Sequence, residues 1–239
     1  MPKQRLQKII ASAGFCSRRK AEQLITNKQV QVNGKTFDKL PVFADPEKDK
    51  ITVDGQNLRL EKKVYYLLNK PKGIICTNSN KSGRERAIDL IPSARRIYCS
   101  GRLDVDSTGL IVLTNDGELT NKLTHPSHRI PKTYIAKLNG SINAAQIENL
   151  KKGTWLAEGK TSRSAVKILK RSTKQALIRI TIREGKNRQI RRMLAKVGLK
   201  VRALKRAKIG KLNDKGLGIG KFRKLTNSEI NYLRNYDPN

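Results

Sequence analysis

The apolar run Leu110-Ile111-Val112-Leu113 constrains this chain most, because it follows directly on a loop holding one arginine and two carboxylates. That loop reads Gly101-Arg102-Leu103-Asp104-Val105-Asp106-Ser107-Thr108-Gly109. A short apolar run led in by turn residues reads as a buried strand. A carboxylate at the end of such a strand can face a cleft while its backbone is held rigidly. The chain carries 52 Lys plus Arg against 19 Asp plus Glu, a formal net charge of +33. Carboxylates in so basic a chain lie near cations and should stay ionised at neutral pH. Taken alone, either Asp104 or Asp106 can equally be a turn or capping carboxylate.

The charge excess points to a polyanionic partner, nucleic acid first and an anionic membrane surface second. No run of about 18 apolar residues exists to span a bilayer, and Met-Pro-Lys-Gln-Arg at the start lacks the apolar stretch of a signal peptide, so a soluble, cytoplasmic protein is expected. With 239 residues and 37% hydrophobic content the chain can build one large or two small domains. Cys16, Cys76 and Cys99 are odd in number and far apart, which fits reduced thiols better than a disulfide framework or zinc knuckle. The two histidines, His125 and His128, have no acidic or Cys cluster around them and read as a turn before a strand. No metal and no cofactor is expected.

The first residues read as two short helices and a hairpin. Leu6, Ile9, Ile10 and Ala13 recur at helical spacing and Gly14 ends that helix; Ser17 can cap a second, with Ala21, Leu24 and Ile25 inward. Val30 and Val32 alternate with polar residues before the tight-turn pair Asn33-Gly34. Arg18, Arg19 and Lys20 open the second helix, where cations oppose the macrodipole, so phosphate contact is the better reason for them. The segments Arg5-Leu6-Gln7-Lys8-Ile9, Ala13-Gly14, Ser17-Arg18-Arg19-Lys20-Ala21-Glu22 and Val30-Gln31-Val32-Asn33-Gly34 resemble the S4 RNA-binding domain. The resemblance spans roughly residues 1–60, with one departure: Asn27-Lys28 stands where a glycine is usual before the first strand.

Residues 61–239 are expected to form a second domain, after a polar hinge within 44–63. Strands are predicted over 64–69, 74–76, 110–114, 132–138, 165–169 and 176–183, and helices over 118–123, 144–151, 187–197 and 227–235. Strands with inserted helices and no regular βαβ repeat predict an α+β domain on a mainly antiparallel sheet flanked by helices.

Two further segments join the Asp104 loop. In Pro131-Lys132-Thr133-Tyr134-Ile135, a strand's period of two puts Lys132 and Tyr134 on one face; Tyr134 is either a core aromatic or a platform for a base. Arg183 to Leu194 reads as strand, turn and a helix with Arg188, Arg191 and Arg192 in its first turns, a natural anion site. Of these, Arg191, next to Ile190 and three residues before Leu194, is the cation expected to point inward.

Gly-Arg-Leu-Asp, Lys-x-Tyr and Asn-Arg-Gln-Ile-Arg-Arg together resemble the RsuA-type pseudouridine synthase family, which joins an S4 domain to a catalytic domain. Lys215-Gly216-Leu217, Leu225 and Asn231-Tyr232-Leu233-Arg234 look most like the family's B-type branch, whose members are named for the large ribosomal subunit. The resemblance implies an isomerase turning a specific uridine of ribosomal RNA, with 23S rRNA expected, into pseudouridine without a cofactor. It implies that Asp104 acts on a flipped uridine, at C1′ or through the C2′ hydrogen, and that the base reattaches through C5. It further implies that Tyr134 stacks on the base and assists proton removal at C5, that Arg191 pairs with Asp104, and that Arg102 fills the vacated place in the RNA. Lys132, Arg188 and Arg192, with Arg5, Arg18, Arg19 and Lys20 of the first domain, are the expected RNA contacts. The expected partner is ribosomal RNA or a ribosomal subunit precursor, bound by a monomer. The competing reading is a non-catalytic S4-type RNA-binding or ribosome-assembly protein.

Overall fold

The computed structural model describes residues 3–79 and 83–238, which form two compact units. The smaller unit runs to Val64 and includes Ser93–Ile97 and Asn115–Gly117. Its helices are Leu6–Ser12 and Arg18–Thr26. Ser17 caps the second by accepting from the Lys20 N–H at 3.2 Å, which satisfies one of the orphan donors of a first turn that carries three cations. A four-stranded sheet ordered Lys35–Thr36, Val30–Val32, Ile51–Val53, Gln56–Asn57 packs with them around Leu6, Ile10, Ala21, Ile25, Val30 and Val53, all fully buried. Lys28 takes φ +59°, so at the departure from the S4 pattern a lysine holds the left-handed conformation that favours glycine. Asn33 and Gly34 both have positive φ, as a type I′ turn requires.

The larger unit is built on one nine-stranded sheet. Its main path runs Ala165–Arg171, Gln175–Ile182, Lys132–Asn139, Lys200–Ile209, Thr108–Thr114, Tyr65–Lys70, Phe222–Lys224. Every pairing along that path is antiparallel except one: Lys200–Ile209 lies parallel to Thr108–Thr114, with Lys205 opposite Thr108 and Arg206 opposite Gly109. The unit is α+β, as expected. The helices Ala144–Lys152 and Gln189–Lys196 supply Leu150, Ile190, Met193 and Leu194 to a core with Ala136, Leu138, Ile178 and Ile180. Gly117–Thr124 and Asn227–Arg234 supply Leu119, Leu123, Ile230 and Leu233 to a second core around Leu67, Leu110 and Val112. Each buried Leu, Ile, Val or Met side chain among these stabilises by about 1.5–3 kcal/mol over its exposed form.

Two expectations on elements are corrected. Residues 74–76 form no strand: Ile75 makes only an isolated bridge with Arg86, because the chain turns back at Pro71-Lys72-Gly73 instead of continuing the sheet. Lys200–Ile209, the longest strand, is absent from the sequence-based expectation; its run of cations reads as a solvated face until its neighbours on both sides are known.

Candidate active site

The central strands converge on a cleft in the larger unit lined by Arg102, Asp104, Lys132, Tyr134, Arg188 and Arg206. The Asp104 loop reaches it through a tight turn, closed by the Ser107 N–H donating to the Asp104 carbonyl at 3.0 Å. That turn separates the two carboxylates. Asp104, at its start, lines the cleft; Asp106, in its middle, does not.

The helix Gln189–Lys196 docks over the middle of the turn because Ile190, Met193 and Leu194, spaced i, i+3 and i+4, bury one face in the core. Arg191 therefore meets Asp106, not Asp104. Its Nη2 lies 3.2 Å from Asp106 Oδ2 and donates to the Asp106 carbonyl at 3.3 Å, while Nη1 donates to Val201 O at 3.3 Å. The expected Arg191–Asp104 pair is thus replaced by an Arg191–Asp106 pair, since the helix faces the centre of the turn. Arg188, the N-cap residue at φ +45°, spans both acids: two bonds of 3.2 Å to Asp106 and a looser 3.6 Å approach to Asp104 Oδ2. Burial would raise the Asp106 carboxyl, but the Arg188 hydrogen bonds and the charges of Arg191 and Arg188 outweigh it and hold the group below its usual range. Asp104 lines the cleft with Arg188 Nη1 3.6 Å from its Oδ2.

Lys132 and Tyr134, two residues apart on the strand Lys132–Asn139, both line the cleft. Burial, then the charge of Arg206, presses Lys132 down to about 8. Glu184 also lines the cleft, but its Oε1 accepts from Gln189 Nε2 at 2.6 Å and from the Ser162 N–H at 2.9 Å. Arg102 is exposed at the rim. Arg192 lies outside the cleft lining, and its Nη1 is bonded to Glu158 at 2.8 and 3.0 Å. In the smaller unit Arg5 and Arg18 flank one shallow pocket, with Arg19 and Lys20 exposed beside Arg18.

Two cations of the site escaped the sequence reading. Arg206 sits on the unexpected strand. Lys70 is fully buried, donating from Nζ to the Pro71 carbonyl at 2.9 Å and the Ile74 carbonyl at 2.8 Å. Burial lowers its pKa, opposed in part by Cys76, Asp104, Asp106 and Cys99. A lysine before a proline at a strand end was the one available sign. Among the described residues no group of three or more His, Cys, Asp or Glu side chains is placed to hold a metal ion, and no helix is long and apolar enough to cross a membrane.

A basic cleft lined by a carboxylate and an aromatic ring has the residue types that an enzyme acting on a polyanion needs. Residues 64–196 match the family model for RNA pseudouridylate synthase and residues 4–40 that for the S4 domain. The chain therefore belongs to the RNA pseudouridylate synthase family, isomerases of RNA, and carries the S4 domain at its N-terminal side. It is 44% identical over 234 residues to the ribosomal large subunit pseudouridine synthase B of Bacillus subtilis (strain 168), across 97% of this chain and 96% of that protein. An uncharacterized RNA pseudouridine synthase of Aquifex aeolicus (strain VF5) is 36% identical over 231 residues, covering 96% and 93%. A crystal structure of a pseudouridylate synthase superposes with TM-score 0.71 at 32% identity, covering 96% of this chain and 99% of that one.

Proposed function

We propose that this enzyme isomerises a uridine of large-subunit ribosomal RNA, with Asp104 acting on the ribose of a flipped-out nucleotide. The observation that carries the reading is the division of labour between the two acids: Asp106 is tied to Arg188 and Arg191, whereas Asp104 faces the cleft beside Tyr134. Asp104 attacks C1′ or removes the C2′ hydrogen, the base detaches, turns and rejoins through C5, and Tyr134 stacks on it and helps C5 lose its proton. Arg102 at the rim enters the place the base has left, which offsets part of the few kcal/mol that extrusion costs. The name of the Bacillus relative and the S4 domain support a ribosomal RNA substrate. Mapping pseudouridines in ribosomal RNA from cells with and without the gene tests the reading: one large-subunit uridine should stay unmodified without it. An unchanged map overturns it.

Two effects on RNA binding follow. Lys132 is charged below about pH 8 and neutral above it, so its attraction for phosphate is present at neutral pH and lost on the alkaline side. The kcat/KM for RNA should fall through about pH 8, and Lys132→Arg, which cannot deprotonate there, should remove that fall. A pH profile for Lys132→Arg that still drops in the same window would assign it to another group. In the smaller unit, replacing Arg18, Arg19 and Lys20 together by Ala should weaken RNA binding and reduce the salt slope by about two, the loss of three phosphate contacts. An unchanged slope would mean that this helix start does not touch the RNA.

A further inference from the structure

Arg206 is a buried cation with no Asp or Glu ion pair among the described residues; the Cys76 thiol, lowered to about 6, is an acidic group its charge acts on. Arg206 is 6% exposed. Its Nε donates to the Leu110 carbonyl at 2.6 Å, and its Nη1 lies 3.5 Å from the Tyr134 hydroxyl, the outer limit of a hydrogen bond. Its Nη2 is buried with no partner among the described residues. The two acids lining the cleft are engaged elsewhere, Glu184 with Gln189 and Asp104 loosely with Arg188, while Asp106, outside the lining, is held by Arg188 and Arg191. Proteins pair or hydrogen-bond the charges they bury, so a guanidinium lining a reaction cleft with one donor unpartnered and no carboxylate paired to it calls for an anion that arrives with the substrate.

The isomerisation makes one. When the C1′–N1 bond breaks, its electron pair leaves with the base as a uracil anion, delocalised over N1, O2 and O4. We propose, resting on the reading above, that Arg206 is a catalytic residue for this step, its Nη groups donating to a carbonyl oxygen of the detaching uracil and holding the negative charge. The charge is then spent as C5 bonds to C1′; C5 gives up its proton and N1 gains one, so atoms and electrons balance with no co-reactant. Geometry suits the task. Arg206 is the cross-strand neighbour of Tyr134 on one side and of Gly109 on the other, so the cation, the stacking ring and the Asp104 loop are fixed by one set of ladder bonds. A guanidinium also presents a planar fork of donors, which an ammonium does not.

The test is single-turnover consumption of the target nucleotide in a ribosomal RNA transcript, made either with uridine or with 5-fluorouridine, whose detached base is the more stable anion. Arg206→Gln, verified as folded by its melting curve, should lose about 10²–10³-fold on uridine RNA, the scale for removing one preorganised donor to a developing anion. It should recover a larger share of its rate on the fluorinated RNA than the wild type gains, a leaving-group effect that a merely structural defect would not produce. A loss under threefold, or an equal fluorine gain in the two proteins, overturns the proposal. Should Arg206→Gln fail to fold, Arg206→Lys carries the test. Its ammonium lacks the planar fork of the guanidinium and cannot reproduce the same donor geometry toward the Leu110 carbonyl and the base, so its fluorine gain should also exceed the wild type's, and an equal gain overturns the proposal. If the wild-type protein converts no uridine in any ribosomal RNA, the proposed function falls; if it is active and the variants behave like it, only the role of Arg206 falls.

Discussion

Asp104→Asn is expected to bind ribosomal RNA within about twofold of the wild type and to lose roughly 10⁴-fold or more in isomerisation, the scale seen when a nucleophile or base is removed from a catalytic unit. The two outcomes separate because Asp104 repels phosphate if anything, so its neutral isostere gives up chemistry and no affinity. The substitution is also mild for the fold. Asp104 has one loose ion pair, 3.6 Å to Arg188, and its side chain is 27% exposed. Asp106→Asn is the informative partner. It weakens the contacts that hold Arg188 and Arg191, so it should lower both activity and melting temperature, with the activity loss well short of that of Asp104→Asn. Single-turnover rates, filter binding and melting curves for the pair decide the matter. If Asp106→Asn were the inactive variant and Asp104→Asn retained its rate, the acid facing the cleft would not be the reacting one.

Gly109→Ala is expected to destabilise the larger unit by about 3–5 kcal/mol, the sum of a strained left-handed residue and an overpacked contact. Gly109 has φ +106°, and a Cβ there would lie 2.3 Å from the Arg206 carbonyl oxygen and 2.6 Å from its nitrogen. Both obstacles are backbone, so no side-chain rotation relieves them. This is the point where Thr108–Thr114 and Lys200–Ile209 approach in parallel, which makes it the joint between the Asp104 loop and the strand bearing Arg206. A loss of that size corresponds to a fall in melting temperature of about 10 °C for a unit of this length. Thermal unfolding measures it directly. A fall of less than about 2 °C would show that the two strands can separate without cost.

Much of the molecule was legible from local pattern. The S4-like hairpin follows from helical spacing in 6–13 and 21–25, a Ser cap and an Asn-Gly turn, all interactions between residues close in sequence. Likewise Asp104 was placed by a loop ending in an apolar strand, and Lys132 with Tyr134 by the strand's period of two. The amphipathic helix Gln189–Lys196 was visible too, including that Arg191 turns inward.

What Arg191 meets was not visible. Its choice of Asp106 over Asp104 depends on where a helix lands on a turn 85 residues earlier, a matter of packing between distant surfaces. The strand Lys200–Ile209 was hidden for the same reason. Five of its ten residues are cations, so by itself it reads as a solvated face; it becomes a central strand because Lys132–Asn139 and Thr108–Thr114 close on both sides. The sequence by itself determined which residue types stand at strand ends, turns and helix faces, since short-range spacing sets those. Only the tertiary structure decided which acid faces the cleft and which cation is buried away from any carboxylate among the described residues. Those are consequences of long-range register, where a single residue of slip would send every side chain to the other face.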